Sequence, residues 1–395
     1  MAHTTRQLGT LLVREGGRMR KGSACFTAAA AATAMCLAPA SASAHAQTPP
    51  ALSANVTVFA TGLNNPRGLA FGPNGDLYVA EGGLGGSLTT TSADCTQVPA
   101  PVGPYSGGFT SRIAKISPHG VRTTVADNLP ASQTSPASGS LVSGVADVAF
   151  AGGRLYALEA GAGCSHGLPG TDNSILRVNP DGTTTQVADL SRFLKSHPVA
   201  HPNPGDFEPD GTWYSMVAVR GDLYAVEPNH GEIDRINPST GAIRRVIDVS
   251  ASQGHIVPTA LAYQGNFFFG NLGTFPVTPG SESLFKVAPS GQIKTWARGL
   301  TTVLGLVAGP RDRLYALESM TSPGFPGPGE LGTGRVVQIG PSGAQTVIAT
   351  GLSFPTAITL SPDGALYVSN LGFGGPVPGL GQILKITIPS QATGH

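Results

Sequence analysis

Apolar residues alternate along this chain in short runs, each closed by a cluster of Gly, Pro, Asn or Asp, and the period is that of β-strands, not helices. One unit sets the pattern: Leu69-Ala70-Phe71, the turn Gly72-Pro73-Asn74-Gly75, then Leu77-Tyr78-Val79-Ala80 ending on Glu81. It returns as Val148-Ala149-Phe150, Gly152-Gly153 and Leu155-Tyr156-Ala157-Leu158 ending on Glu159, and again around Tyr224, Phe268, Tyr315 and Tyr367. The six marker aromatics lie 78, 68, 44, 47 and 52 residues apart. Each unit runs on into further strands, joined by turns such as Asn179-Pro180-Asp181-Gly182 and Gly340-Pro341-Ser342-Gly343. There Pro presets the first φ and Gly takes the positive one at the end. Repeats of this length, each holding several short strands, predict propeller blades. The expected fold class is all-β, a six-bladed β-propeller of four-stranded blades.

The sixth repeat stops at Ile388-Pro389, one strand short. The missing strand is at the other end of the chain. Asn55-Val56-Thr57-Val58-Phe59-Ala60-Thr61-Gly62-Leu63 matches Ala344-Gln345-Thr346-Val347-Ile348-Ala349-Thr350-Gly351-Leu352, down to the shared Ala-Thr-Gly-Leu. The N-terminal strand is therefore expected to complete the last blade and close the ring, which removes the unpaired edges an open array would leave.

Loop length separates the two faces of such a ring. Connections after the first and third strands are turns of a few residues. Those after the second and fourth strands are mostly long: 82–111, 160–174, 191–211, 228–231, 253–257, 272–283, 319–334 and 371–381. Insertions gathered on one side of a rigid scaffold are where sites are built.

Composition changes the picture mainly at the N-terminus. Arg18, Arg20 and Lys21 precede the Ala-rich apolar stretch 26–37, and Ala42-Ser43-Ala44 and Ala44-His45-Ala46 offer small-residue cleavage sites. We read residues 1–46 as a Sec-type signal peptide (with Met19 an alternative start), 47–54 as a linker, 55–389 as the propeller and 390–395 as a tail. The expected location is secreted or extracytoplasmic. Cleavage turns a net charge of +1 into about −3, which attracts neither nucleic acid nor an anionic membrane. No membrane segment is expected in the mature chain, which we read as a monomer. Cys95 and Cys164 remain, and in an oxidising compartment an even pair is most simply a disulfide.

The residue three after each marker aromatic forms a set: Glu81, Glu159, Glu227, Asn271, Glu318 and Asn370. Carboxylates and amides around a channel mouth suit a hard cation such as Ca²⁺, so these are the candidate metal ligands. A recurrence in every blade equally suits a capping role within each blade. His230 and His255 stand on loops of adjacent blades near Glu227 and Asn271, and are the candidate catalytic groups. Asn229, Trp213 and Tyr214 are the candidate ligand-binding residues. Asp206-Phe207-Glu208-Pro209-Asp210-Gly211 echoes the start of a calcium loop, but its twelfth position is Val217, so it is no EF-hand. Gly163-Cys164-Ser165-His166-Gly167 fits G-x-S-x-G, yet it lies between β-strands with no helix-forming stretch after it, so a nucleophile elbow is not expected.

From about Val56 to Ile388 the chain resembles the ScyD/ScyE family of secreted six-bladed propellers. The likeness is carried by Ala60-Thr61-Gly62-Leu63-Asn64-Asn65-Pro66-Arg67-Gly68-Leu69, Gly163-Cys164-Ser165-His166-Gly167, Phe207-Glu208-Pro209-Asp210-Gly211-Thr212-Trp213-Tyr214, Val226-Glu227-Pro228-Asn229-His230-Gly231-Glu232, Gly254-His255-Ile256-Val257-Pro258 and Gly270-Asn271-Leu272-Gly273. More distantly it is similar to NHL and gluconolactonase-type propellers, and that wider likeness implies a divalent metal at the channel mouth. Two functions follow as expectations. One is a scaffold that binds a small molecule or an extracellular partner through its long-loop face. The other is a Ca²⁺-dependent lactonase or esterase at the channel mouth, with Glu227, Asn271, His230 and His255 as its working groups.

Overall fold

The structure is a computed structural model that describes residues 49–389; the expected signal peptide, 1–46, and the tail, 390–395, lie outside the described residues. Six antiparallel sheets form the ring. Their first strands are Pro66–Phe71, Val145–Ala151, Ser215–Val219, Pro258–Tyr263, Val303–Gly309 and Ala357–Leu360. Residues from all six line one central cavity of about 130 Å³, so these strands stand around the axis. Blades are numbered one to six in that order.

Closure takes the expected form. In blade 6 the outermost strand is Val56–Leu63, paired antiparallel to Gly381–Ile386 from Val56 opposite Ile386 to Leu63 opposite Gly381. The first and last strands of the propeller therefore share one sheet, and no blade is left short.

The hydrophobic interior is not one core but six, each shared by two neighbouring blades. The second strand of blade 1 shows why. Leu77 and Val79 join the cluster shared with blade 6, while Tyr78 and Ala80, on the opposite face, join the one shared with blade 2. Side chains alternate across a strand, and here both faces are covered, so the strand reads as nearly continuous apolar sequence. Several marker rings lock onto the next blade: Tyr78 meets Phe150 edge-on at 5.1 Å, and Tyr367 meets Phe71 at 5.1 Å. Such aromatic pairs stabilise beyond the area they bury.

Two regions differ from the strand pattern expected of the sequence. The stretch 82–111 is partly sheet: Leu88–Thr89 pairs with a third strand lengthened to Ser106–Ile116, which meets a fourth strand running Arg122–Gln133. The segment after the fourth strand of blade 2 opens as a helix, Leu190–Ser196, capped by the Asp189 carboxylate on the Arg192 N–H at 2.8 Å. Leu190 and Leu194, one turn apart, are buried on its inner side. Seven residues are too few for a helical period to show in sequence. Among the described residues no helix is long and apolar enough to cross a membrane.

Candidate functional site

The first strands begin at the long-loop face, and there a series of side-chain hydrogen bonds steps from blade to blade around the channel. Thr356 Oγ1 of blade 6 donates to the Pro66 carbonyl of blade 1 at 2.7 Å. Arg67 Nη2 donates to the carbonyl of Val142, on the segment leading into blade 2. Asp147 of blade 2 accepts the Met216 N–H of blade 3 at 2.7 Å. Ser215 Oγ of blade 3 donates to the Thr259 carbonyl of blade 4 at 2.7 Å, and Thr259 Oγ1 donates to the Val303 carbonyl of blade 5. Four of these five bonds cross between neighbouring blades, so those polar groups are satisfied only when the blades pack side by side.

Tyr214 departs from this neighbour-to-neighbour pattern. Its hydroxyl donates to the Thr356 carbonyl at 3.0 Å, reaching from blade 3 to the opposite blade 6. Burial pushes its pKa up to about 12, against the pull of Arg67. The Arg67 guanidinium lies 6.0 Å from the Tyr214 ring centre and 5.9 Å from that of Phe373, on the loop of blade 6. That loop is tied to its neighbours by the Val142 N–H on the Gly374 carbonyl at 3.0 Å and by Asn65 Nδ2 on the Gly375 carbonyl at 3.2 Å.

Asp147 lines the same cavity. Burial raises its pKa to about 7, partly opposed by the N–H groups of Met216 and Val148. Gly68 makes room for it: a Cβ there would sit 1.8 Å from Asp147 Oδ1, so no larger residue fits.

The loops of blades 1 to 3 are cross-linked beside the mouth. Cys95 and Cys164 form a disulfide, as the sequence predicts. Tyr105 donates to Glu208 Oε1 at 2.6 Å, His166 Nδ1 lies 2.8 Å from Ser132 Oγ, and Ser165 Oγ donates to Asp210 Oδ2 at 2.6 Å. Ser165 is thus a buried structural group, held by a carboxylate that also pairs with Lys195. Burial drives the His166 pKa down to about 4, so the ring is neutral near pH 7, and burial raises the Glu208 pKa well above its ordinary value.

The strand-end set occupies equivalent places in the six blades, and each member is engaged close to its own blade. Glu81 accepts the Asn64 N–H at 2.6 Å, Glu227 that of Thr212 at 3.0 Å, Glu318 that of Thr301 at 2.6 Å and Asn370 that of Ser353 at 2.8 Å. Asn271 donates to the Ile256 carbonyl, and Glu159 accepts the N–H groups of Ala160 and Gly161. Arg112 and Arg335 pair with Glu81 and Glu318. All of the set but Glu159, which bonds only the two residues after it, tie the start of the blade to the end of its second strand. Among the described residues, no group of three or more His, Cys, Asp and Glu stands where it could hold a metal ion.

The two candidate histidines each find an acid. His230 Nδ1 is 3.3 Å from Glu227 Oε2, and His255 Nε2 is 2.9 Å from Asp206 Oδ2. Burial alone would lower the His230 pKa, but the Glu227 charge raises it above the ordinary value. Phe207 meets the His230 ring edge-on at 5.4 Å, so the turn 206–210 spans both histidines. Asn229 is half-buried beside them. Trp213 is 1% exposed and packs between blades 2 and 3, while Tyr214 faces the channel.

Arg67, Asp147 and Phe373 were not singled out from sequence. A signal existed for the first two: each is a charge inside an otherwise apolar first strand, in a chain only 12% charged.

No protein-family model and no curated protein matches the sequence. Solved structures do match in fold. A glucose-dehydrogenase-type oxidoreductase from Thermus thermophilus is 17% identical, with 84% of this chain and 99% of that one covered, at TM-score 0.52. A luciferin-regenerating enzyme is 10% identical over 85% of this chain and 95% of that one, at TM-score 0.50. A gluconolactonase from Xanthomonas campestris is 10% identical over 85% and 89%, at TM-score 0.49. At these identities the likeness speaks for the fold alone.

Proposed function

We propose that this protein is a ligand-binding β-propeller that works outside the cytoplasm and takes a small molecule at the channel mouth on its long-loop face. The observation that carries this reading is the make-up of the mouth. Arg67, Tyr214 and Phe373 come from blades 1, 3 and 6 and meet over a cavity bordered by all six. Convergent polar and aromatic groups over an axial cavity are the ordinary form of a small-molecule site. Export by residues 1–46 and the ScyD/ScyE resemblance belong to the same reading, and the Cys95–Cys164 disulfide supports the oxidising location.

A thermal-shift panel of chemically diverse small molecules tests it, run on the wild type and on Phe373→Ala. Compounds that raise the wild-type melting temperature and lose that effect in the variant support the mouth. A panel without a stabilising compound, or one whose effects all persist in Phe373→Ala, contradicts it.

The second reading is the Ca²⁺-dependent lactonase or esterase. One observation favours it: Glu208 Oε2 is buried without a hydrogen-bond partner, 3.9 Å from His166 Nε2 and close enough to Asp206 and Glu227 to feel their charges. It ranks second because the described residues do not, as they stand, gather a ligand set for the ion. Stoichiometric calcium in the purified protein, with turnover of aryl esters or lactones that Glu227→Gln abolishes, would reverse the order.

A further inference from the structure

We propose that the mouth selects an organic monoanion, a carboxylate on a small planar body, and that Arg67 supplies its counter-charge. The inference rests on the ligand-binding reading above and names the class of ligand.

A guanidinium is charged at every accessible pH, and a buried charge needs a partner. Arg67 is 7% exposed, yet among the described residues no carboxylate lies within ion-pairing distance of it. The contrast with other arginines is direct: Arg112, Arg245 and Arg335 each hold a fully buried glutamate, Glu81, Glu232 and Glu318. What Arg67 has instead are neutral partners: the Val142 carbonyl, the Tyr214 hydroxyl and the faces of two rings. Ring faces attract a cation but do not neutralise it.

Asp147 is the acid nearest at hand by lining the same cavity, but it is committed elsewhere. Its two oxygens take the N–H groups of Val148 at 2.8 Å and Met216 at 2.7 Å, and burial holds it partly protonated near neutral pH. Arg67 itself lines the cavity, so its guanidinium borders the mouth. A planar fork of donors with charge to spare matches a carboxylate. It matches a dianion less well, because Arg67 is the one basic residue among those lining the cavity. The rings of Tyr214 and Phe373 flank the guanidinium and offer apolar faces to a flat body attached to the carboxylate. A cavity of about 130 Å³ admits a single ring rather than a polymer.

The probe is benzoate, with benzamide as its neutral isostere, titrated calorimetrically into the wild type, Arg67→Lys and Arg67→Met. Benzoate is expected to bind the wild type with a dissociation constant of about a millimolar, as befits a fragment. Benzamide should bind at least about 10-fold more weakly, the loss of a charge-assisted pair. Arg67→Lys, which keeps the charge but loses the fork, should weaken benzoate about 10-fold, and Arg67→Met should remove saturable binding. Equal affinity for benzamide and benzoate, benzoate binding that survives in both variants, or no wild-type binding of benzoate overturns the proposal. If Arg67→Met does not fold, the lysine variant and the benzamide comparison still decide. A panel compound that binds at the mouth while benzoate does not would overturn the anion assignment and leave the ligand-binding reading standing.

Discussion

The long-loop face has two unlike halves. Over blades 1 to 3 the loops are knitted together by the Cys95–Cys164 disulfide, the Tyr105–Glu208 and Ser165–Asp210 hydrogen bonds, and Asn173 Nδ2 on the Gly211 carbonyl at 2.7 Å. Over blades 4 to 6 the loops touch more lightly: a backbone bridge joins Val277 to Gly324, and Phe275 and Phe325 stack at 6.3 Å while 36% and 66% exposed. Both halves leave some apolar side chains exposed, Leu88 and Phe109 on the first and Phe275 and Phe325 on the second; what sets the first apart is its network of buried, mostly satisfied polar groups. The mouth sits on the seam, since Tyr214 reaches from the knitted half to Thr356 and Arg67 lies between Tyr214 and Phe373. A site so placed has one firm wall and one that can adjust.

The comparison can be broken most forcefully at Trp213, which fills the space between blades 2 and 3. Trp213→Ala should cost about 3–5 kcal/mol in denaturant unfolding, the usual result of emptying a large buried site. Removing the disulfide by Cys95→Ser with Cys164→Ser should cost about 2–4 kcal/mol, because it frees a span of 69 residues in the unfolded chain. Proteolytic nicking should then shift toward the loops of blades 1 and 2.

A pH experiment sharpens the picture at Glu159. Burial pushes its pKa from an ordinary 4.5 to about 8, so between those values the folded protein holds a proton that the unfolded chain has released. Stability therefore falls as pH rises from about 4.5 to 8. Oε1 accepts two backbone N–H groups, which the Gln carbonyl can reproduce, and the amide stays neutral at every pH. Glu159→Gln should leave stability at pH 5 nearly unchanged and raise it at pH 8 by on the order of 2 kcal/mol. A smaller effect is expected in the open half. Phe325→Ser should change stability by no more than about 0.5 kcal/mol, as exposed positions usually do.

Much of this fold was legible because a propeller states its rules locally and repeats them. Turns such as Asn179-Pro180-Asp181-Gly182 mark the hairpins, and the likeness between 55–63 and 344–352 announces how the ring closes. The strand-end set was legible as positions, since three residues after each aromatic is a matter of counting. Its contacts were not, because Asn64 or Thr301 reaches those carboxylates only through the folded blade. The mouth was least legible of all. Arg67, Tyr214 and Thr356 are far apart in the chain and meet across the axis, where no local period can signal them. The helix Leu190–Ser196 was missed for the opposite reason, being too short to show a period of its own.

Hydrogen exchange of the wild type with and without benzoate tests the placement of the site most directly. The account predicts slowed exchange in residues 65–69, 214–216 and 371–375, with the loops 272–283 and 319–334 unchanged. Protection confined to those two loops would contradict it.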